Sequence, residues 1–188
     1  MNDPGDSTLA VSASDPSTDS DPPERLSVVI VNEAGDWSAF AARERAIESA
    51  AAALADHPRC GPARGAEANV VFGDDALVRT LNRTYRGKDK PTNVLSFPFQ
   101  VPPGAEPNGI LGDVVLAVET VAGEAAQRRI SPLHHLQHLV VHGLLHLLGF
   151  EHETDAEAED MEQVETEILA KLGVADPYAS AGFQMKVP

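Results

Sequence analysis

The sequence has few of the features that mark secreted or membrane proteins. Cys60 is the single cysteine among 188 residues, so an internal disulfide is excluded, which fits a cytoplasmic protein. Cys60 lies in a turn-rich loop, where we interpret it as incidental rather than as a reactive nucleophile. The apolar stretches are short or interrupted by His and Gly, and the N-terminus lacks the basic-then-apolar order of a secretory signal. We therefore expect a cytoplasmic protein with no membrane partner.

Positive charge is also scarce, with 14 Lys and Arg against 29 Asp and Glu. A net charge of −15 argues against a nucleic-acid partner, but the acids concentrate in residues 1–25 and 151–170, which leaves 26–150 close to neutral. Within that stretch, residues 79–90 carry one acid and five bases: Arg79, Arg83, Arg86, Lys88 and Lys90. The segment is either a local basic patch or an ordinary solvated helix face, and both interpretations stay open.

The segment HGLLHLLGFEH contains three histidines with the spacing of metal ligands. His142 and His146 are one helical turn apart, so both can offer a ring nitrogen to the same ion. Gly149 can end the helix in a left-handed conformation and let the chain return His152 to that ion. Three neutral imidazoles leave one position of a tetrahedral zinc site open, which is typical of catalytic zinc. The spacing therefore predicts one zinc ion per chain in an enzyme.

The other histidines complicate this prediction only slightly. His138 and His142 form a possible rival pair, but no nearby turn returns a third ligand to it, so His138 is expected to pack beside the site or support it. The remaining three are interpreted as surface or core residues: His57, His134 and His135.

One expected residue is missing from the histidine segment. The spacing is that of metzincin peptidases, in which a glutamate after the first histidine acts as general base, but Gly143 occupies that position. A peptidase is therefore disfavoured, although a zinc peptidase with an unusual base stays an alternative.

Hydrophobic patterning predicts an α+β fold in which a four-stranded mixed sheet packs with about five helices, one of them a metzincin-like histidine helix. Pro98 indicates an edge position or the end of a strand. The acids of the last helix are expected to form a solvated face, and residues 1–25 a disordered acidic tail before a domain at 26–188. The predicted strands are 26–34, 67–73, 92–99 and 112–119, and the predicted helices are 37–54, 74–85, 120–129, 132–149 and 154–172.

Three segments together resemble the YbeY family of bacterial ribosomal-RNA maturation endoribonucleases. They are LNRTYRGKDKPTNVLSFPF at 81–99, then LGDVVLA, then HGLLHLLGFEH, and the similarity spans about residues 70–178. The resemblance implies a YbeY-like metal-dependent endoribonuclease domain that is specific for single-stranded RNA. It also implies action in late small-subunit ribosome maturation, at the 3′ end of the small-subunit ribosomal RNA, and in ribosome quality control. Implied partners are ribosomal RNA and the small subunit, with ribosomal proteins or assembly GTPases as further candidates.

The resemblance also assigns residues. The family's important arginine falls on Arg86, and Phe150 and Glu151 stand where the family often has Tyr and Asp. The family's zinc ligands fall on the three histidines already identified: His142, His146 and His152.

Arginine binds phosphate bidentately, so Arg86 is expected to hold the scissile phosphate beside the zinc. The general base stays unassigned, because zinc-bound hydroxide could attack directly, Glu151 or Asp113 could take a proton, or the 2′-hydroxyl of the RNA could serve as nucleophile. A second class of function also stays open, namely a largely non-catalytic ribosome assembly factor in which zinc stabilises the fold.

Overall fold

A computed structural model describes residues 25–101 and 109–179 of the chain. The predicted tail over 1–25 lies outside the described residues apart from Arg25, so its disorder stays a prediction. The described residues form one sheet of four strands: β1 (Ser27–Asn32), β2 (Glu67–Gly73), β3 (Val94–Pro98) and β4 (Ile110–Ala117).

The sheet has the order β1-β2-β4-β3 and is mixed. Strands β1, β2 and β4 run parallel, while β3 pairs antiparallel with β4 at the edge. Pro98 is the last residue of this edge strand, where a missing backbone donor is tolerated. Opposite Pro98, Gly112 has a φ of 134°, and a Cβ there would lie 2.1 Å from the carbonyl oxygen of Phe97. The predicted four-stranded mixed sheet is confirmed.

In the two described ranges, five α-helices and one short 3₁₀ helix, Pro58–Ala63, surround the sheet. Within the described parts of the chain, no helix is both long and apolar enough to cross a membrane. The α-helices are α1 (Arg43–Ala55), α2 (Asp75–Arg86), α3 (Val118–Arg128), α4 (Pro132–Leu147) and α5 (Asp155–Lys171).

Helix α1 begins six residues later than the predicted start at Trp37. Trp37 and Phe40 are buried, but they reach the core from turns in which the Phe40 amide donates to the Trp37 carbonyl at 3.0 Å. Ala42 then adopts a left-handed φ of 63°, which separates these turns from the helix. The periodicity of apolar residues does not reveal this break at Ala42, because the buried side chains on both sides of it keep helical spacing.

The two faces of the sheet carry different helices. Helices α1, α4 and α5 cover one face and form the main core with strand residues such as Phe72, Val114 and Leu116. Helix α2 covers the other face, where Val78 packs with Leu95 and other strand residues. Helix α4 is buried over nearly its whole length, and each of its fully buried leucines contributes roughly 1.5–3 kcal/mol. This burial fixes the histidine helix against β3 and β4.

Candidate metal centre

The three predicted ligands lie together at the C-terminal end of α4. The Nε2 atoms of His142 and His146 are 3.2 Å apart, and one ring nitrogen from each of the two and from His152 lies within 4.8 Å of the others. Nitrogens bound to a tetrahedral zinc ion at about 2.05 Å are separated by about 3.3 Å. The first pair therefore already has the spacing that one zinc ion requires.

The return of His152 depends on the turn that ends α4. The helix ends at Leu147, two residues before the predicted end, and Gly149 follows with a left-handed φ of 87°. The amide of Phe150 then donates to the carbonyl of Leu145 at 3.1 Å, which closes the helix end. The ring centre of His152 lies 4.9 Å from that of His146 as a result.

Hydrogen bonds fix the tautomers of the two helical ligands. His142 Nδ1 lies 2.6 Å from Glu165 Oε1, and His146 Nδ1 lies 2.9 Å from the carbonyl oxygen of Phe150. A carbonyl can only accept, as can an ionised carboxylate, so both Nδ1 atoms carry the protons. Both Nε2 atoms are then unprotonated at a separation of 3.2 Å, and a cation bound by both would offset the repulsion between their lone pairs. The donor set therefore fits a zinc-class ion.

The protonation state of His146 also suits a metal ligand. Burial lowers its pKa to about 4, and repulsion from His142 and His152 adds to the shift. A pKa this low keeps the imidazole neutral at physiological pH, as metal coordination requires.

Glu165 was not predicted as a site residue, yet it is fully buried against the metal centre. Besides His142, its carboxylate contacts His138 Nε2 at 3.4 Å and accepts a hydrogen bond from the hydroxyl of Tyr178. Burial alone would raise the pKa of Glu165, but its interactions with the His138 and His142 imidazoles hold that pKa well below its ordinary value. The carboxylate is therefore ionised, and it orients His142.

The prediction that the acids of α5 form a solvated face is wrong for Glu165. The residue lies one turn after Met161 and just under one turn before Ile168, both of which are buried. Helical periodicity thus places Glu165 on the apolar stripe of α5, and this signal could have identified it.

Arg86 lies in the same cleft as the histidines. It is the last residue of α2, which ends because Gly87 adopts a left-handed φ of 69°. Asn82 stabilises the following loop by donating from Nδ2 to the carbonyl of Lys90 at 2.8 Å. The cleft has a volume of about 220 Å³ and is lined by Arg86, Val94, Ser96, Pro98, His142, His146, Glu151, His152 and Glu153.

The two carboxylates considered as general base are placed differently. Glu151 lines the cleft, and its Oε2 lies 3.6 Å from His146 Nδ1. Asp113 accepts a hydrogen bond from Asn69 Nδ2 at 2.7 Å and lies on the opposite face of the sheet from the neighbouring Val114, which contacts α4. Glu151 is therefore the one of the two that can reach a substrate in the cleft.

The position of the missing glutamate is sterically closed. A Cβ on Gly143 would lie 2.6 Å from Val114 Cγ1 and 3.1 Å from Ser96 Oγ, which itself donates to the Gly143 carbonyl at 3.0 Å. A contact of 2.6 Å is too close, so any side chain at position 143 would force Val114 or α4 to shift from this packing.

Comparison with known proteins places this site in a family. The profile described as Endoribonuclease YbeY matches residues 29–173, which include Arg86 and all three histidines. The chain belongs to the YbeY family. Endoribonuclease YbeY of Azorhizobium caulinodans is 55% identical over 153 residues, or 80% of this chain and 94% of that protein. Endoribonuclease YbeY of Rhizobium meliloti is 49% identical over 161 residues, or 81% of this chain and 95% of that protein.

A solved structure is also similar to this chain. The solution structure of TM1509 from Thermotoga maritima covers 84% of this chain and 99% of its own, at 20% identity and a TM-score of 0.45.

The departure from the usual YbeY pattern at Phe150 leaves the metal centre unchanged. The contact with His146 comes from the backbone carbonyl of Phe150, which any residue provides. The Phe150 ring instead contacts the guanidinium of Arg59, whose Cζ lies 5.3 Å from the ring centre.

Two of the remaining histidines, His57 and His135, contact carboxylates outside the metal centre of this YbeY site. His57 Nε2 lies 3.0 Å from Glu167 Oε2, and His135 Nε2 lies 2.7 Å from Glu124 Oε2. Both histidines are buried, whereas His134 is exposed. Cys60 is also buried, and burial raises the pKa of its thiol to about 11, so it is not a poised nucleophile.

Proposed function

We propose that the chain is a zinc-dependent endoribonuclease that cuts single-stranded RNA during late small-subunit ribosome maturation. The proposed substrate is the 3′ end of the small-subunit ribosomal RNA, and the proposed role extends to ribosome quality control. The names of the relatives support RNA cleavage. The observation that carries the proposal is that Arg86 and the three histidines line one cleft.

Arg86 is proposed as the group that holds the scissile phosphate. Among the described residues no ion pair engages its guanidinium, and the residue is exposed at the rim of the cleft. A guanidinium forms two parallel hydrogen bonds with phosphate oxygens, which fixes both the position and the orientation of the phosphate. Its charge also offsets the negative charge that grows as the phosphodiester is attacked.

The histidines provide the second element of the site. A zinc ion held by them supplies a Lewis acid that stabilises negative charge on a phosphate oxygen. His142 and His146 present Nε2 to that ion because Glu165 and the Phe150 carbonyl hold their Nδ1 protons. Glu151 is proposed to accept the proton of the attacking hydroxyl, since it is the considered carboxylate that lines the cleft.

A peptidase is a poorer interpretation of the same cleft. The position from which metzincin peptidases supply their general base is occupied by glycine, and Val114 and Ser96 lie where a larger side chain would begin. A phosphate-binding arginine beside the histidines also has no evident use in cleaving a peptide bond.

Partners and location are proposals of the same kind. We propose that the protein acts in the cytoplasm on ribosomal RNA and the small ribosomal subunit, with ribosomal proteins or assembly GTPases as further partners. The basic residues of 79–90 support an RNA partner in spite of the net charge of −15.

Substitution of Arg86 tests the proposed function. Arg86→Ala should lower the rate of single-stranded RNA cleavage on the order of a hundredfold or more, because a transition-state contact is lost. Arg86→Lys should recover only part of the rate, since an ammonium cannot bind bidentately. Both variants should keep the wild-type metal content and melting temperature. The measurement is single-turnover cleavage of a labelled oligoribonucleotide in a nuclease-free preparation.

Arg45→Ala is the matched control, since it removes an exposed arginine of α1 that is not among the residues lining the cleft. Cleavage at the wild-type rate by Arg86→Ala would remove this residue from the mechanism. If the wild type shows no metal-dependent cleavage, and His146→Ala still supports ribosome maturation, the non-catalytic assembly factor is the better description.

A further inference from the structure

Tyr85 is an exposed aromatic residue beside the proposed phosphate-binding arginine. It directly precedes Arg86 near the end of α2, and 68% of its surface is exposed. Aromatic residues make up only 5% of the chain, and the sole tryptophan, Trp37, is buried. An aromatic ring left in solvent next to a functional cleft is a candidate contact for a ligand.

The ring of Tyr85 packs against the ring of Phe97 in β3. The centre of its ring lies 5.1 Å from that of Phe97, and the interplanar angle of 64° makes this an edge contact. Phe97 lies in β3 between Ser96 and Pro98, both of which line the cleft. Tyr85 therefore lies just across the edge strand from the cleft.

The segment that carries Tyr85 has a net positive charge. Asp89 is the only acid of residues 79–90, and Arg79 binds it through two hydrogen bonds of 2.8 and 3.0 Å. This pairing offsets the single negative charge of the segment and leaves Arg83, Arg86, Lys88 and Lys90 in excess. An open ring within a cationic surface suits a ligand that is both flat and anionic, which describes single-stranded nucleic acid.

We propose that Tyr85 is a nucleobase-stacking subsite, which binds a base next to the phosphate held by Arg86. The inference rests on the proposed function and specifies how its substrate is recognised. Adjacent residues on a helix project about 100° apart, so one strand can place a phosphate on Arg86 and a neighbouring base on Tyr85. Bases of a duplex are already stacked on each other, whereas an unpaired base is free to stack on the ring. The subsite thereby selects single-stranded RNA.

The test compares two probes on variants of the metal-loaded protein. Binding of a labelled single-stranded oligoribonucleotide is measured by fluorescence anisotropy on ice, before turnover. Tyr85→Leu retains an apolar contact for Phe97 but removes the stacking surface, so its affinity should fall roughly 5- to 150-fold. Tyr85→Phe should bind nearly as well as the wild type. Thr84→Ala, at the neighbouring exposed position, is the matched control and should bind normally.

The second probe is an abasic strand of the same length, which retains the sugars and phosphates. Wild type and Tyr85→Leu should bind it equally, because no base remains to stack. Wild-type affinity of Tyr85→Leu for the normal strand, or an equal loss for both probes, would overturn the subsite. If either outcome appears while Arg86→Ala still loses cleavage, the stacking subsite at Tyr85 is refuted but the proposed function is not. A wild type that binds no RNA overturns the subsite and the proposed function together.

Discussion

Replacing Glu165 gives the sharpest test of how the metal centre is built. Glu165→Gln keeps the size of the side chain but removes the charge that accepts the His142 Nδ1 proton at 2.6 Å. Loss of a carboxylate behind a ligating histidine typically costs roughly 10- to 100-fold in metal affinity. We expect a loss of that size, because the imidazole becomes less basic and its orientation is less fixed.

The same carboxylate also contributes to stability. Glu165 is fully buried and contacts His138 and Tyr178 in addition to His142. Removing one partner of a buried charged network costs about 3–5 kcal/mol, so Glu165→Ala should be strongly destabilising. For a chain of this size that corresponds to a melting temperature lower by roughly 6–20 °C. Glu165→Gln should lose less, because an amide can still accept one of the hydrogen bonds.

The assay is a competition titration of zinc against a chelator of known affinity, together with thermal unfolding of the metal-free protein. Glu167→Gln is the matched control, since it removes a carboxylate of the same helix from His57, which is not a predicted ligand. The control should retain full metal affinity. If Glu165→Gln folds and binds zinc as tightly as the wild type, Glu165 does not orient the ligand. An equal affinity loss in Glu167→Gln would show that the effect comes from general destabilisation.

Three further outcomes are expected. His146→Ala should lose its metal and melt at a lower temperature, and unchanged metal content by elemental analysis would refute the ligand assignment. Gly143→Ala should lower the free energy of unfolding by about 1–3 kcal/mol, because its Cβ would meet Val114 Cγ1 at 2.6 Å. Denaturant titrations measure this loss, and wild-type stability of the variant would show that α4 can shift without cost. Deletion of residues 1–24 should leave the melting temperature nearly unchanged by calorimetry, and a drop of many degrees would show that the segment packs on the domain.

Local features of the chain were predictable because they depend on short-range geometry. The pairing of His142 and His146 follows from the helical repeat, and the return of His152 follows from a glycine that permits a left-handed turn. The capping box of Thr154 and Glu157 is a local pattern of the same kind, and its two reciprocal hydrogen bonds are present. Each of these features is confined to a few consecutive residues.

Strand order and strand direction follow less directly from the sequence. The α+β class with a four-stranded mixed sheet was predicted from the alternation of strands and helices. The insertion of β4 between β2 and β3 depends on long-range pairing, which no local pattern specifies. The turns at Trp37 and Phe40 were mistaken for helix because burial, rather than backbone conformation, sets the spacing of apolar residues.

The sequence by itself determined the ligand spacing, the helix that carries it and the family resemblance, because all three are properties of contiguous segments. Only the tertiary structure decided that Glu165, 23 residues from His142, lies buried against it, and that Arg86 of α2 lines the cleft of α4. It also decided that residue 143 is favoured as glycine, since the steric constraint comes from Val114 of β4, a distant segment of the chain. These contacts join distant segments, and their geometry arises from how helices pack on a sheet rather than from any repeat along the chain.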